Sequence, residues 1–119
     1  MKKNKIEDLC PIRNVIVRLG DKWSLLVLVT LHQHNKLRFS KMHRCIDDIS
    51  QRMLTVTLRS LEADGLISRH IYPEVPPRVE YELTDTGLSL IPHLRSLVDW
   101  ALENMPAILD NRRQYEMNT

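Results

Sequence analysis

Three prolines fall within five residues at Pro73, Pro76 and Pro77, between two segments that alternate like β-strands. No other feature restricts the fold of this chain as much. Ile67 to Tyr72 reads as one strand and Val79 to Leu83 as another, joined by Pro73-Glu74-Val75-Pro76-Pro77-Arg78. That connection is too long and too proline-rich for a two-residue hairpin turn. Proline fixes φ and lacks an N–H, so the segment is predicted to be a stiff loop projecting from a small β-hairpin.

The residues before the hairpin read as helices. Pro11 suits a first helical turn. Ile12, Val15, Ile16 and Leu19 then recur at helical spacing until Gly20. Asp21 opens a second helix, Trp23 to His34, which is apolar nearly all round and so belongs at the centre of a core. Leu37-Arg38-Phe39 is a candidate very short strand. Ser40 is expected to cap a short third helix running through Cys45. After a turn at Asp47-Asp48-Ile49, Ser50 caps a fourth helix, Gln51 to Asp64, with Leu54, Leu58 and Leu61 as its buried stripe and Met53 and Thr57 at the edge. Gly65 ends it. Beyond the hairpin, Thr84 caps a last helix whose apolar face is Leu88, Ile91, Leu94, Leu97, Val98 and Leu102. Pro92 is expected to bend this helix, and the polar residues after Pro106 to fray.

The fold class is therefore mainly α with a small β-hairpin. Two short helices joined by a tight turn and followed by a hairpin make a winged helix-turn-helix. The 119 residues suit one domain, placed at 10–105, with a mobile lead-in at 1–9 and a tail at 106–119. The longest apolar run, Leu25 to Leu31, is far short of the ~20 residues of a membrane span. The basic start lacks the apolar stretch of a signal peptide. A cytoplasmic location is expected, with Cys10 and Cys45 as thiols.

The net charge of +2 conceals an asymmetry. Residues 1–59 hold 12 Lys/Arg against 5 Asp/Glu, and residues 60–119 hold 5 against 10. A basic half suits a protein that presents one face to a polyanion, although solvated surfaces also segregate charge by chance. The second helix of a helix-turn-helix lies in the major groove. Here its outer face carries Gln51, Arg52, Thr55, Val56 and Arg59. Gln pairs with adenine, Arg with guanine, and Thr and Val touch thymine methyls. A solvated surface helix would carry a similar set. Lys36, Arg38, Lys41 and Arg44, with Ser40 and Ser50 at helix starts, are candidates for backbone phosphates. Arg69, His70 and Arg78 surround the stiff loop, which is expected to carry Arg78 to a minor groove, where narrow A·T tracts attract arginine. The alternative is an ordinary charged hairpin.

These residues resemble the HxlR-type regulators, a bacterial and archaeal branch of MarR-like winged-helix proteins. The matching landmarks are Cys10-Pro11, Gly20-Asp21-Lys22-Trp23-Ser24, Arg38-Phe39, Ile49 to Thr55, Leu58 to Ile67, Pro73 to Tyr81, and Leu83-Thr84-Asp85-Thr86-Gly87. Each fragment alone is weak, but the ordered set over about residues 9–104 is specific. The resemblance implies a homodimer joined through its first and last helices, binding double-stranded DNA at a near-palindromic operator. It leaves open whether the protein activates or represses.

Several members of that family sense oxidants or electrophiles through an N-terminal cysteine, a position held here by Cys10. Pro11, a nearby helix start and Arg13 favour its thiolate. A disulfide from Cys10 of one subunit to Cys45 of the other would shift the DNA-reading helices. Alternatively, Cys45 is a small buried hydrophobe. His32, His34 and His43 lie near Cys45 but match no standard zinc spacing, so no metal and no cofactor is expected. His93 carries no readable signal. With no phosphate loop, nucleophile elbow or metal motif, an enzyme is not expected. The other readings are a winged-helix module for protein–protein contact, against which Gln51, Arg52 and Arg59 argue, and a ligand-responsive regulator without redox control.

Overall fold

A computed structural model of the chain describes residues 12, 16, 17 and 20–118. Ile12, Ile16, Val17 and Gly20 are helical. The rest of the expected first helix, and Cys10 with it, lies outside the described residues.

Helix α1, Lys22–His34, starts at Asp21, whose Oδ2 accepts hydrogen bonds from the Ser24 N–H (3.3 Å) and the Ser24 hydroxyl (3.0 Å). It supplies the centre of the core through Val27, Leu28 and Leu31, all at 1% exposure or less. Ser24 and Thr30 are buried with them. Asn35, at φ 66°, turns the chain out of the helix and donates its N–H to the Leu31 carbonyl.

Strand β1, Lys36–Arg38, follows and points Leu37 inward. Helix α2, Phe39–Cys45, begins two residues earlier than expected from a Ser40 cap. Arg38 is its extended N-terminal flank, and no side chain caps it. Ser40 is thus already inside the first turn, past the position from which its oxygen could accept from the helix's free N–H groups. Helix α3, Gln51–Ala63, has the expected Ser50 cap, with the Met53 N–H donating to Ser50 Oγ at 3.0 Å. Leu54, Leu58 and Leu61 are buried as the spacing predicts. Thr57 is buried with them, whereas Met53 is exposed. Gly65 takes φ 76°, a left-handed conformation that glycine tolerates at a helix end.

Strands β2, Ile67–Tyr72, and β3, Arg78–Leu83, form the hairpin in register, with Ile67 opposite Leu83 and Tyr72 opposite Arg78. The sheet has a third member: β1 pairs antiparallel with the outer edge of β3, giving the order β1-β3-β2. One face of this sheet carries Leu37, Tyr81, Leu83 and Ile67, which belong to the core or pack against it. The other carries Lys36, Arg38, Glu80, Glu82, Ser68 and His70, because strand neighbours alternate faces.

Helix α4, Asp85–Met117, is far longer than its core contacts need. Thr84 caps it by accepting from the Gly87 N–H at 3.1 Å. Ile91 and Leu94 are buried, but Leu97, Trp100, Leu102, Met105 and Leu109 are exposed. At 1.5 Å per residue the helix is about 50 Å long. It continues through both Pro92 and Pro106 to Met117, where the sequence suggested fraying. A proline removes one backbone hydrogen bond. Around Pro106 side chains add others: Asn104 donates to the Trp100 carbonyl (2.9 Å) and Asn111 to the Ala107 carbonyl (3.0 Å).

Candidate nucleic-acid interface

The outer face of α3 is left exposed by the fold. Gln51, Arg52, Val56 and Arg59 are exposed, while the opposite face is sealed into the core. Neither Arg52 nor Arg59 takes part in an ion pair among the described residues. Thr55 is half-buried, and its hydroxyl donates back to the Gln51 carbonyl at 2.9 Å. Its donor is therefore used within the helix, leaving the methyl group as its outward feature.

The turn that presents α3 is held by a residue with no sequence signal for that role. His43 Nε2 lies 2.9 Å from the Ile49 carbonyl oxygen. The His43 ring also stacks near Phe39, with centroids 6.4 Å apart and planes 18° off parallel. Ile46 and Ile49 bury both ends of the turn, and Asp48 takes φ 69° between them.

Lys36, Arg38, Ser40, Lys41 and Arg44 line a single groove over β1 and α2, with His34 and Glu80 at its edge. The fold thus gathers these five phosphate candidates on one exposed surface, without Ser50, and Ser40 is not a helix cap there. Cys45, the last residue of α2, is an exposed free thiol, which overturns the alternative of a buried hydrophobe. Its neighbour Ile46 returns an N–H to the Met42 carbonyl at 3.2 Å.

The hairpin residues are more engaged than the sequence suggests. Arg69 Nε lies 3.6 Å from Glu62 Oε2, linking β2 to α3. His70 Nε2 lies 2.7 Å from Glu82 Oε1 and 3.1 Å from Ser68 Oγ. Arg78 does not extend from the loop. Its Nη2 is 3.2 Å from Glu74 Oε2, and its guanidinium carbon lies 4.1 Å from the centroid of the Tyr72 ring. Tyr81 packs on the core side of β3. Burial raises its phenol above the ordinary tyrosine range, Arg69 opposes that shift, Glu62 adds to it, and Arg59 lowers it again. Among the described residues, no three His, Cys, Asp or Glu side chains are grouped to hold a metal ion. No helix among them is long and apolar enough to cross a membrane.

Residues 18–108 match the model of the HxlR-like helix-turn-helix family. The chain belongs to the HxlR family. An HTH-type transcriptional regulator of Methanothermobacter thermautotrophicus is 55% identical over 94 residues, covering 79% of this chain and 71% of that relative. The solved structure of the transcriptional regulator ytfH from Salmonella typhimurium superposes with a TM-score of 0.81 at 37% identity, covering 94% of this chain and 99% of that one. The redox regulator HypR in its reduced form superposes with a TM-score of 0.77 at 36% identity, covering 84% and 98%. Its oxidized form gives 0.72 at 39% identity, covering 80% and 97%. This HxlR-family chain is thus a transcriptional regulator of HxlR type with the winged helix-turn-helix fold that its sequence implies.

Proposed function

We propose that the protein is a homodimeric transcriptional regulator that binds a near-palindromic DNA operator and is controlled by oxidation or electrophile modification of Cys10. The observation that carries the DNA reading is the outer face of α3. Gln51, Arg52, Val56 and Arg59 stand exposed on a capped helix whose other face is locked into the core. In the major groove these residues, with the Thr55 methyl, read base edges. Lys36, Arg38, Ser40, Lys41, Arg44 and Ser50 hold the flanking phosphates and fix the register. Arg69 and His70 stand on the wing strand beside them.

The dimer reading rests on α4. Leu102, Met105 and Leu109 leave an apolar face that the described residues do not cover. A contiguous exposed patch of that kind marks an interface. Ile12, Ile16 and Val17 are also exposed and would join it. Two-fold symmetry then sets the two recognition helices about one DNA turn apart, ~34 Å.

The redox reading rests on the exposed Cys45 thiol at the start of the turn that presents α3, and on the likeness to a redox regulator solved in reduced and oxidized forms. A disulfide from Cys10 to the partner's Cys45 would pull on that turn. Selection from sheared genomic DNA, with the protein reduced and then treated with a mild thiol oxidant, tests the whole reading. It should recover an inverted repeat, bound by dimers and altered by the oxidant only when Cys10 is present. Recovery of unrelated fragments with no shared repeat would reject it.

A further inference from the structure

The loop at the tip of the hairpin is closed by one side chain. Tyr72 and Arg78 face each other as the last rung of the β2–β3 ladder. Above that rung the Arg78 guanidinium lies over the Tyr72 ring at 4.1 Å and reaches Glu74 within the loop at 3.2 Å. Its Nε lies 3.9 Å from Glu80 Oε2, is shielded from solvent, and makes no hydrogen bond. The Glu74 N–H donates to the Tyr72 carbonyl at 2.8 Å, turning the first part of the loop back on the end of β2. Three prolines stiffen what remains. At the tip, Val75 is fully exposed at 102%.

Electrostatics oppose the use of Arg78 as a DNA cation. Two carboxylates already neutralise it, and they would repel a phosphate approaching the same point. To reach a groove, the guanidinium would have to leave Glu74, Glu80 and the Tyr72 face together. A cation held over an aromatic ring and in a charged pair gives up both contacts on leaving.

We propose that Arg78 is a positioning residue that braces the wing, and that the wing's contact with DNA is the apolar tip, Val75, packed against minor-groove sugars. Arg78 fixes where Val75 stands and adds no charge to the interface. The proposal rests on the DNA-binding reading above, and the test separates the two.

The operator affinity of the reduced full chain would be measured across salt concentrations for the wild type, R78M, R78K and V75S. Hydrogen exchange over residues 72–78 would be followed without DNA. Selective binding by the wild type checks the DNA reading itself, and the exchange measurement judges the brace even if that binding fails. Each neutralised phosphate contributes about 0.9 to the salt slope. The brace account expects R78M and R78K alike to weaken operator binding by roughly ten-fold, the loss of a cation–π contact and a charged hydrogen bond. Their salt slopes stay at the wild-type value, and loop exchange is several-fold faster in both. V75S weakens binding several-fold at the same slope. A slope lowered by about one in R78M, with affinity and slope retained in R78K, would overturn the proposal. So would unchanged loop exchange, or operator affinity untouched by R78M or V75S.

Discussion

His43 Nε2 stands 2.9 Å from the carbonyl oxygen of Ile49 and clasps the turn of the helix-turn-helix across six residues. A carbonyl can only accept, so Nε2 carries the proton. The clasp ends one residue before Ser50, whose hydroxyl oxygen caps α3. The orientation of α3 therefore depends on a side chain of the preceding helix. His43→Ala is expected to cost about 1 kcal/mol of stability and to weaken operator binding more than binding to random DNA. His43→Gln, which keeps a donor, recovers most of the selectivity. Urea unfolding and competition binding check both parts; equal losses on both DNAs would mean that the clasp does not aim α3.

Gly87 lets the long helix pack closely on the segment between α3 and β2. A Cβ there would clash with the carbonyl oxygen of Leu66, a backbone atom. Thr84 reinforces the junction by donating its hydroxyl to the Gly65 carbonyl at 2.6 Å. Gly87→Ala should destabilise the fold by about 1–3 kcal/mol, the usual cost of overpacking, despite alanine's better helix propensity. Chemical denaturation that shows no loss would mean that the helix shifts freely at this point.

The Tyr81 phenol is raised by burial in the folded chain. Its neutral form is thus favoured by folding. The contribution is fully present below the ordinary tyrosine pKa of about 10 and is lost as pH rises through the higher folded value. Tyr81→Phe should flatten the fall in stability at alkaline pH and leave neutral pH little changed. Thermal melts from pH 7 to 11 would show this; parallel curves for the two proteins would contradict it.

Arg59 and Arg52 are the cations of the α3 face, with no ion pair among the described residues. If each reads a guanine, Arg59→Ala and Arg52→Ala should each cost about 1–3 kcal/mol on the operator and relax the preference at one base-pair position per half-site. Binding to operator variants changed one position at a time checks this. A uniform loss on all variants would assign them to phosphates instead.

Much of the frame is legible in the residues because local chemistry decides it. Asp21, Ser50 and Thr84 each cap the helix they precede, and Gly65 ends α3 in the left-handed conformation. The candidates Lys36, Arg38, Lys41 and Arg44 also converge on one groove. What sequence reasoning misses is set by contacts that only the folded backbone brings together. The short strand expected at Leu37-Arg38-Phe39 lies at Lys36–Arg38, a position fixed by its pairing with β3 more than 40 residues later. That pairing extends Arg38 and starts α2 at Phe39, which displaces Ser40 from the cap. Arg78 looks free in the sequence, yet Tyr72 and Glu74 across the loop hold it. His43 looks like one of three scattered histidines, and only the folded turn brings it to Ile49. The helix also continues beyond Pro106, where Asn111 donates to the Ala107 carbonyl, a bond that polarity alone does not reveal.

The central claim is that the face of α3 reads DNA. Fluorescence anisotropy with the selected operator and a scrambled duplex of equal length, titrated across salt with reduced protein, tests it most directly. The account predicts operator binding at least ~1,000-fold tighter than scrambled binding and a steep loss of affinity with salt, made shallower by charge removal at Lys41 and Arg44. Equal affinity for the two duplexes at every salt concentration would contradict it.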